Sequence, residues 1–218
     1  MTSKEQPTGR DQSAGRDQTS GRDQASSRDQ ILAAVRENQP EHIARPAIDR
    51  FDQPFTDLAA HFEAVLLKIG GSTIHRVPDH AAIIPIIERE RAGFPRIVSY
   101  SDDLSAVAET HFSGPRHDLA NVDLAILEST LAVAENGAVW VTDVQAPLRV
   151  LPFICQHLAV IVREADFVAT MHDAYDRIGS AAYGFGTFIA GPSKTADIEQ
   201  SLVLGAHGPK SMTVFIVY

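Results

Sequence analysis

The chain has 218 residues, 44% of them apolar, and 19 Lys and Arg against 28 Asp and Glu give it a formal charge of −9. Such a length suits one folded domain with a real core, and an acidic domain lacking a clustered basic stripe argues against nucleic acid as the principal partner. A single cysteine, Cys155, excludes an internal disulfide and a four-cysteine cluster within this chain.

The opening MTSKEQPTGRDQ carries no apolar signal segment, and no run approaches the roughly 18 apolar residues of a membrane span, so a cytoplasmic location is expected. Residues 9–30 repeat GRDQSA, GRDQTS, GRDQAS and SRDQ, a six-residue period almost free of apolar side chains. With nothing to offset the entropy of ordering, residues 1–26 read as a disordered tail. Ser27 and Gln30 form a capping-box pattern before Ile31, Leu32 and Val35, which predicts a helix ending near Asn38, before Pro40. Polar, proline-broken residues 41–54 then read as a linker, so that residues 27–54 form a helix and connection ahead of a domain over 55–218.

Within that domain, Phe55, Leu58, Phe62, Val65, Leu66 and Ile69 recur at helical spacing and stop at Gly70-Gly71. Residues 72–77 alternate as a strand. Asp79 can cap a helix carrying Ile83, Ile84, Ile86 and Ile87 around Pro85. A short strand at 97–100 and a short helix at 104–110 follow. Residues 122–127, 131–134 and 139–142 read as three strands, with Asn136-Gly137 marking a hairpin between the last two. The continuous apolar run at 158–162 suits a strand buried in a parallel sheet, and 166–178 reads as helix. Alternating helices and strands predict an α/β domain built on a mainly parallel central sheet flanked by helices.

The last stretch, GPSKTADIEQSLVLGAHGP at 191–209, reads as a turn, a helix over 194–204 and a glycine stop at Gly205, set between a strand at 187–190 and another at 212–218. That order predicts a crossover between parallel strands. Two readings of its start stay open. Ser193, Thr195 and Asp197 can merely cap the helix, or Gly191 can admit a ligand to the backbone while Ser193, Lys194 and Thr195 hold a phosphate or carboxylate.

The order Gly-Pro-Ser-x-Thr-Ala-Asp-Ile-Glu, then Leu-Val, then Gly-x-His-Gly-Pro resembles the C-terminal motif of the LUD-domain family, the relatives of lactate utilisation protein C. Ala134-Glu135-Asn136-Gly137-Ala138 matches a second family block, Ala-Glu-Thr-Gly-Thr, with both threonines replaced. Arg149 followed by His157 and the run 158–162 matches a third. The resemblance implies a fold related to the ribose-phosphate isomerase, sugar-phosphate deaminase and CoA-transferase group (NagB/RpiA/CoA-transferase-like). It also implies a non-redox place in a system oxidising L-lactate to pyruvate, with iron–sulfur clusters only in partner proteins and no cofactor in this chain.

Glu135 is the candidate nucleophile or general base, a carboxylate at a sheet-edge turn within a Glu-Asn-Gly sequence that resembles the nucleophile motif of one class of CoA-transferases. The plainer reading is a surface glutamate. Arg149 can hold a substrate carboxylate bidentately. His207, set among glycines, can hydrogen-bond a ligand. Asn136, Gly137, Gly191, Ser193, Lys194, Thr195 and Gly208 complete the expected binding set, placed at the carboxyl ends of the strands. Nine histidines without HxH, HxxxH or HExxH spacing predict no metal site. Other classes compatible with these residues are a stand-alone CoA or sugar-phosphate enzyme using Glu135 and a ligand-sensing regulatory domain.

Overall fold

The structure, a computed structural model, describes residues 26–41, 43, 44, 46, 55–196 and 202–218. The hexapeptide repeat up to residue 25, most of the predicted linker, and residues 197–201 of the predicted last helix lie outside the described residues. The chain divides into two units, Met1–Arg50 and Phe51–Tyr218. In the first, α1 spans Ser27–Glu37, and its cap is Ser26, one residue earlier than predicted. Asp29 is the reason: its backbone N–H donates to Ser26 Oγ at 3.3 Å, and that hydroxyl donates to the Asp29 carboxylate at 2.6 Å.

The second unit runs in the order α2 (Leu58–Ile69), β1 (Ser72–Val77), α3 (Ile83–Glu90), β2 (Ile97–Ser99), β3 (Glu109–Thr110), β4 (Leu124–Glu128), β5 (Leu131–Val133), β6 (Ala138–Thr142) and α4 (Leu151–Ile154). Then come β7 (His157–Arg163), β8 (Phe167–Val168), α5 (Met171–Ile178), β9 (Gly186–Ile189), β10 (Lys194–Ala196), β11 (Leu202–Leu204) and β12 (Ser211–Val217). A six-stranded sheet, ordered β1-β12-β7-β4-β2-β3 and parallel throughout, forms the centre. The α/β class is therefore as expected.

Side-chain alternation sorts the core. From β7, Leu158, Val160 and Val162 join Phe62 and Leu66 of α2, while Ala159 and Ile161 face the other way toward Ile83 and Ile87 of α3. The layer on the α2 side also holds a four-stranded sheet, β8-β5-β6-β9, whose outer face packs Leu131, Val133 and Trp140 against Ala174 of α5. Phe62, fully buried, meets Phe167 edge-on at 5.1 Å, and burying a side chain of that size contributes about 2–3 kcal/mol.

Local chemistry explains the boundaries. Asp57 caps α2 by accepting from Ala60 N at 2.9 Å, so the helix begins after the predicted Phe55. Asp79 accepts from Ala82 N at 2.9 Å, and Pro85 falls in the first turn of α3, where its missing N–H has no helical partner to lose. The predicted helix at 104–110 is replaced by a single tight turn, Asp102–Leu104, and by β3. The predicted helix at 166–178 begins only at Met171, where Thr170 and Asp173 form a capping box. The β5–β6 hairpin is present, with Val133 paired to Ala138, but its turn takes four residues and only Gly137 has positive φ, +68°. A two-residue Asn-Gly turn would need Asn136 there as well.

The largest difference lies in the last stretch. The described parts of the predicted helix at 194–204, residues 194–196 and 202–204, pair instead as a two-stranded antiparallel ribbon, β10 with β11, in which Lys194 faces Leu204 and Thr195 faces Val203. Ser193 cannot serve as a helix cap, because its N–H donates to the Pro209 carbonyl at 2.9 Å and its own carbonyl accepts from Gly205 N at 3.0 Å. Pairing therefore overrides the capping pattern. The predicted parallel crossover fails too: β9 runs antiparallel to β6 in the smaller sheet, whereas β12 belongs to the parallel one.

Candidate functional site

The predicted binding residues gather at the amino-terminal ends of the parallel strands, opposite to the expected end. Lys210 N donates to the Gln156 carbonyl just before β7 at 2.7 Å, Gln156 N donates to Val122 ahead of β4 at 3.1 Å, and Met212 N donates to Gly71 ahead of β1 at 3.1 Å. These bonds tie the Gly205–Pro209 turn to the starts of four strands. Gly208 sits against Ser193, since a Cβ on it would lie 3.2 Å from Ser193 Cβ and 3.9 Å from the Phe153 carbonyl of α4.

Beside that contact opens a cavity of about 580 Å³ lined by Arg116, Pro147, Arg149, Val150, Phe153 and Phe185. The volume suits a small ligand, and two guanidinium groups over aromatic walls suit an anion with an apolar part. Arg149 is held in place: Nη2 donates to Asp143 Oδ2 at 2.8 Å and the guanidinium lies 5.6 Å from the Phe185 ring centre. Burial pushes the Asp143 carboxyl up, but hydrogen bonds from Arg149 and from the Phe185 and Gly184 backbone outweigh it and leave its pKa below the usual carboxylate value. Gly184 makes the ion pair possible, because a Cβ there would lie 2.6 Å from Asp143 Oδ2 and 2.7 Å from Arg149 Nη2.

Other predicted residues form a second group. A Cβ on Gly191 (φ +78°) would stand 2.8 Å from Ile69 Cγ2, and one on Gly137 would stand 3.5 Å from Ile69 Cδ1, so both glycine motifs close on the end of α2. Lys194 Nζ lies nearby, 3.8 Å from where Gly70 would carry a Cβ. Asn136 Oδ1 accepts from Ala138 N at 3.1 Å and shapes its own turn. Thr195 is half-buried in the ribbon, and His207 is exposed. Glu135 is also exposed, and its carboxylate accepts from Met171 N at 2.9 Å, the first N–H of α5; it does not line the Arg149 cavity.

Arg116, Phe153, Phe185 and the Asp143–Gly184 pair were not foreseen. They come from four separate segments, and only Gly114-Pro115 ahead of Arg116 marks its loop in the sequence. His157, at the start of β7, bonds Ser211 Oγ through Nδ1 at 2.7 Å. Burial first, and the nearby Lys210 charge second, lower its pKa against the opposing pull of Asp123.

A parallel sheet backed by a smaller mixed sheet, with an arginine-walled cavity beside a glycine-rich ribbon, defines an α/β domain with a cavity at the amino-terminal ends of its strands. The sequence places it more closely: the LUD domain family model matches residues 40–217, and the chain belongs to that family. It is similar to lactate utilization protein C of Bacillus pumilus, 31% identical over 133 residues, which are 55% of this chain and 55% of that protein. Similarity extends to the proteins of the same name from Shouchella clausii, 33% identical over 101 residues (44% of each chain), and Geobacillus thermodenitrificans, 35% identical over 104 (45% of this chain, 42% of that one). The chain spans about half the length of the curated relatives it matches. A solved structure of a DUF162 family protein from Deinococcus radiodurans has the same fold, with a TM-score of 0.58 and 16% identity over 76% of this chain and all of that one.

Proposed function

We propose that this LUD-domain protein serves L-lactate utilisation as a non-redox component, binding a small carboxylate such as L-lactate or pyruvate in the Arg116–Arg149 cavity. The observation that carries the reading is that Arg149, from one family motif, lines the cavity beside Phe153 of α4, while Ser193 and Gly208, from another, pack next to the Phe153 carbonyl without lining the cavity themselves. Arg149, braced by Asp143, presents a planar fork matched to a carboxylate, and Arg116 supplies a second charge. The methyl group common to both ligands meets Phe153, Phe185 and Pro147.

Oxidation of lactate to pyruvate releases two electrons and two protons. The one cysteine, Cys155, is buried and its thiol is pushed up to about 12 by that burial, so it offers neither a four-cysteine cluster nor a thiolate nucleophile. In this reading the electrons pass to iron–sulfur partner proteins, and the present chain binds and orients the carboxylate. Growth on L-lactate as sole carbon source tests it. A deletion strain should fail to grow, wild-type protein should restore growth, and Arg149→Met should not; normal growth of the deletion strain overturns the proposal.

A further inference from the structure

The carboxyl ends of the same parallel strands, which the first site leaves unused, carry a separate cavity of about 360 Å³ lined by Thr130, Trp140, Arg163, Asp166, Arg177 and Tyr183 among others. Crevices at this end of a parallel sheet are the usual ligand sites of open α/β folds. Asp166, with a side chain only 6% exposed, accepts from Arg163 Nε at 2.7 Å and from Arg177 Nη2. One carboxylate thus fixes two guanidinium groups and leaves the trio with a net positive charge. Both arginines remain partly open to solvent, at 70% and 42%.

Trp140 and Tyr183, edge-to-face at 5.5 Å, form an aromatic part of the lining. The backbone makes room for the indole, since a Cβ on Gly186 would lie 2.4 Å from Trp140 Cζ2 and Cη2. Past Arg163 and Thr130, which line both spaces, a further 300 Å³ or so opens beside Glu128 and His80. Ser101 Oγ donates to Glu128 Oε1 at 2.8 Å. His80 Nε2, shielded from solvent and 3.6 Å from the same carboxylate oxygen, has no hydrogen-bond partner among the described residues. Glu128, 49% exposed and lining the same space, offers a carboxylate oxygen to a ligand hydroxyl.

We propose that this trough is a second ligand site, for a phosphate ester carrying an aromatic ring, of nucleoside monophosphate size. The phosphate sits on Arg163 and Arg177, whose forks match its oxygens, the ring lies against Trp140 and Tyr183, and sugar hydroxyls reach toward Glu128. The combined space falls in the range of ordinary small-molecule sites.

Trp140 is the only tryptophan of the chain, so its fluorescence reports this cavity alone. AMP should quench it saturably. Adenosine, which lacks the phosphate, should need about tenfold higher concentration or more, and inorganic phosphate should compete with AMP. Arg177→Gln should raise the AMP concentration for half-quenching about tenfold. Tyr183→Ala, at a residue 43% exposed and so tolerant of truncation, should raise it several-fold with unchanged thermal unfolding. The proposal is overturned by absence of saturable quenching at millimolar AMP, by Tyr183→Ala titrating like wild type, or by benzoate quenching as well as AMP, which would remove the phosphate from the assignment.

Discussion

Gly184→Ala is the sharpest perturbation of the first site, because it adds one methyl group where the structure has no space. The new carbon would lie 2.6 Å from Asp143 Oδ2 and 2.7 Å from Arg149 Nη2, well inside any distance that real Cβ contacts adopt, so the ion pair has to open. Arg149 is 53% exposed, so solvent screening leaves the pair only the small stabilising effect of a surface ion pair. The melting temperature should therefore fall by only about 1–4 °C for a domain of this size. Binding should suffer more. An unbraced arginine has to be ordered again by the ligand, at about 0.5–1.5 kcal/mol, which is roughly a twofold to tenfold loss of affinity. Asp143, no longer receiving the Arg149 hydrogen bond, should titrate at higher pH. Thermal unfolding, calorimetric titration with pyruvate and a carboxylate NMR titration measure the three effects. Wild-type affinity together with a wild-type Asp143 titration would refute the bracing role of the pair.

Glu135→Gln keeps an acceptor for Met171 N but removes a negative charge from the start of α5, so stability should drop by about 0.3–1 kcal/mol while growth on L-lactate persists; lost growth would give Glu135 a chemical role. Cys155, with its thiol pushed from about 9 up to about 12, has roughly a thousandfold smaller thiolate fraction near neutral pH, and a disulfide reagent should label it only after denaturation. His157 has a depressed folded pKa, so the unfolded chain binds the proton more readily. Its contribution to stability is present above the ordinary imidazole value of about 6.5 and is lost as pH falls through the lower folded value. Denaturant midpoints measured across that range should decline less in His157→Gln than in wild type.

Much of the fold was legible because period and punctuation agreed. Residues 55–69 repeat apolar side chains at helical spacing and stop at two glycines, and the run 158–162 reads as a strand buried on both faces, as β7 is. The last stretch misled for a definable reason. Ser193, Thr195 and Asp197 have the chemistry of a helix start, but the Ser193 N–H that a cap leaves open is bonded to Pro209, sixteen residues on, and such a partner leaves no local trace. Of the candidate site, Arg149, Ser193 and Gly208 stood out through the motifs. Arg116, Phe185 and the space that Gly184 leaves for an ion pair exist only once distant segments meet. The end of the sheet could have been read, since the sequence already leads from the Gly208-Pro209 turn straight into the strand predicted at 212–218, which puts that turn at the strand's amino-terminal end.

The most direct test is calorimetric titration of pyruvate into the wild-type protein and into Arg149→Met, a substitution at a half-exposed position that keeps the aliphatic stem. The account predicts saturable binding at one site in the wild type, and affinity at least about tenfold weaker in the variant with a melting temperature lowered by only about 1–4 °C through loss of the Asp143 ion pair. Equal binding by the two proteins, or no binding by the wild type at millimolar pyruvate, would contradict it.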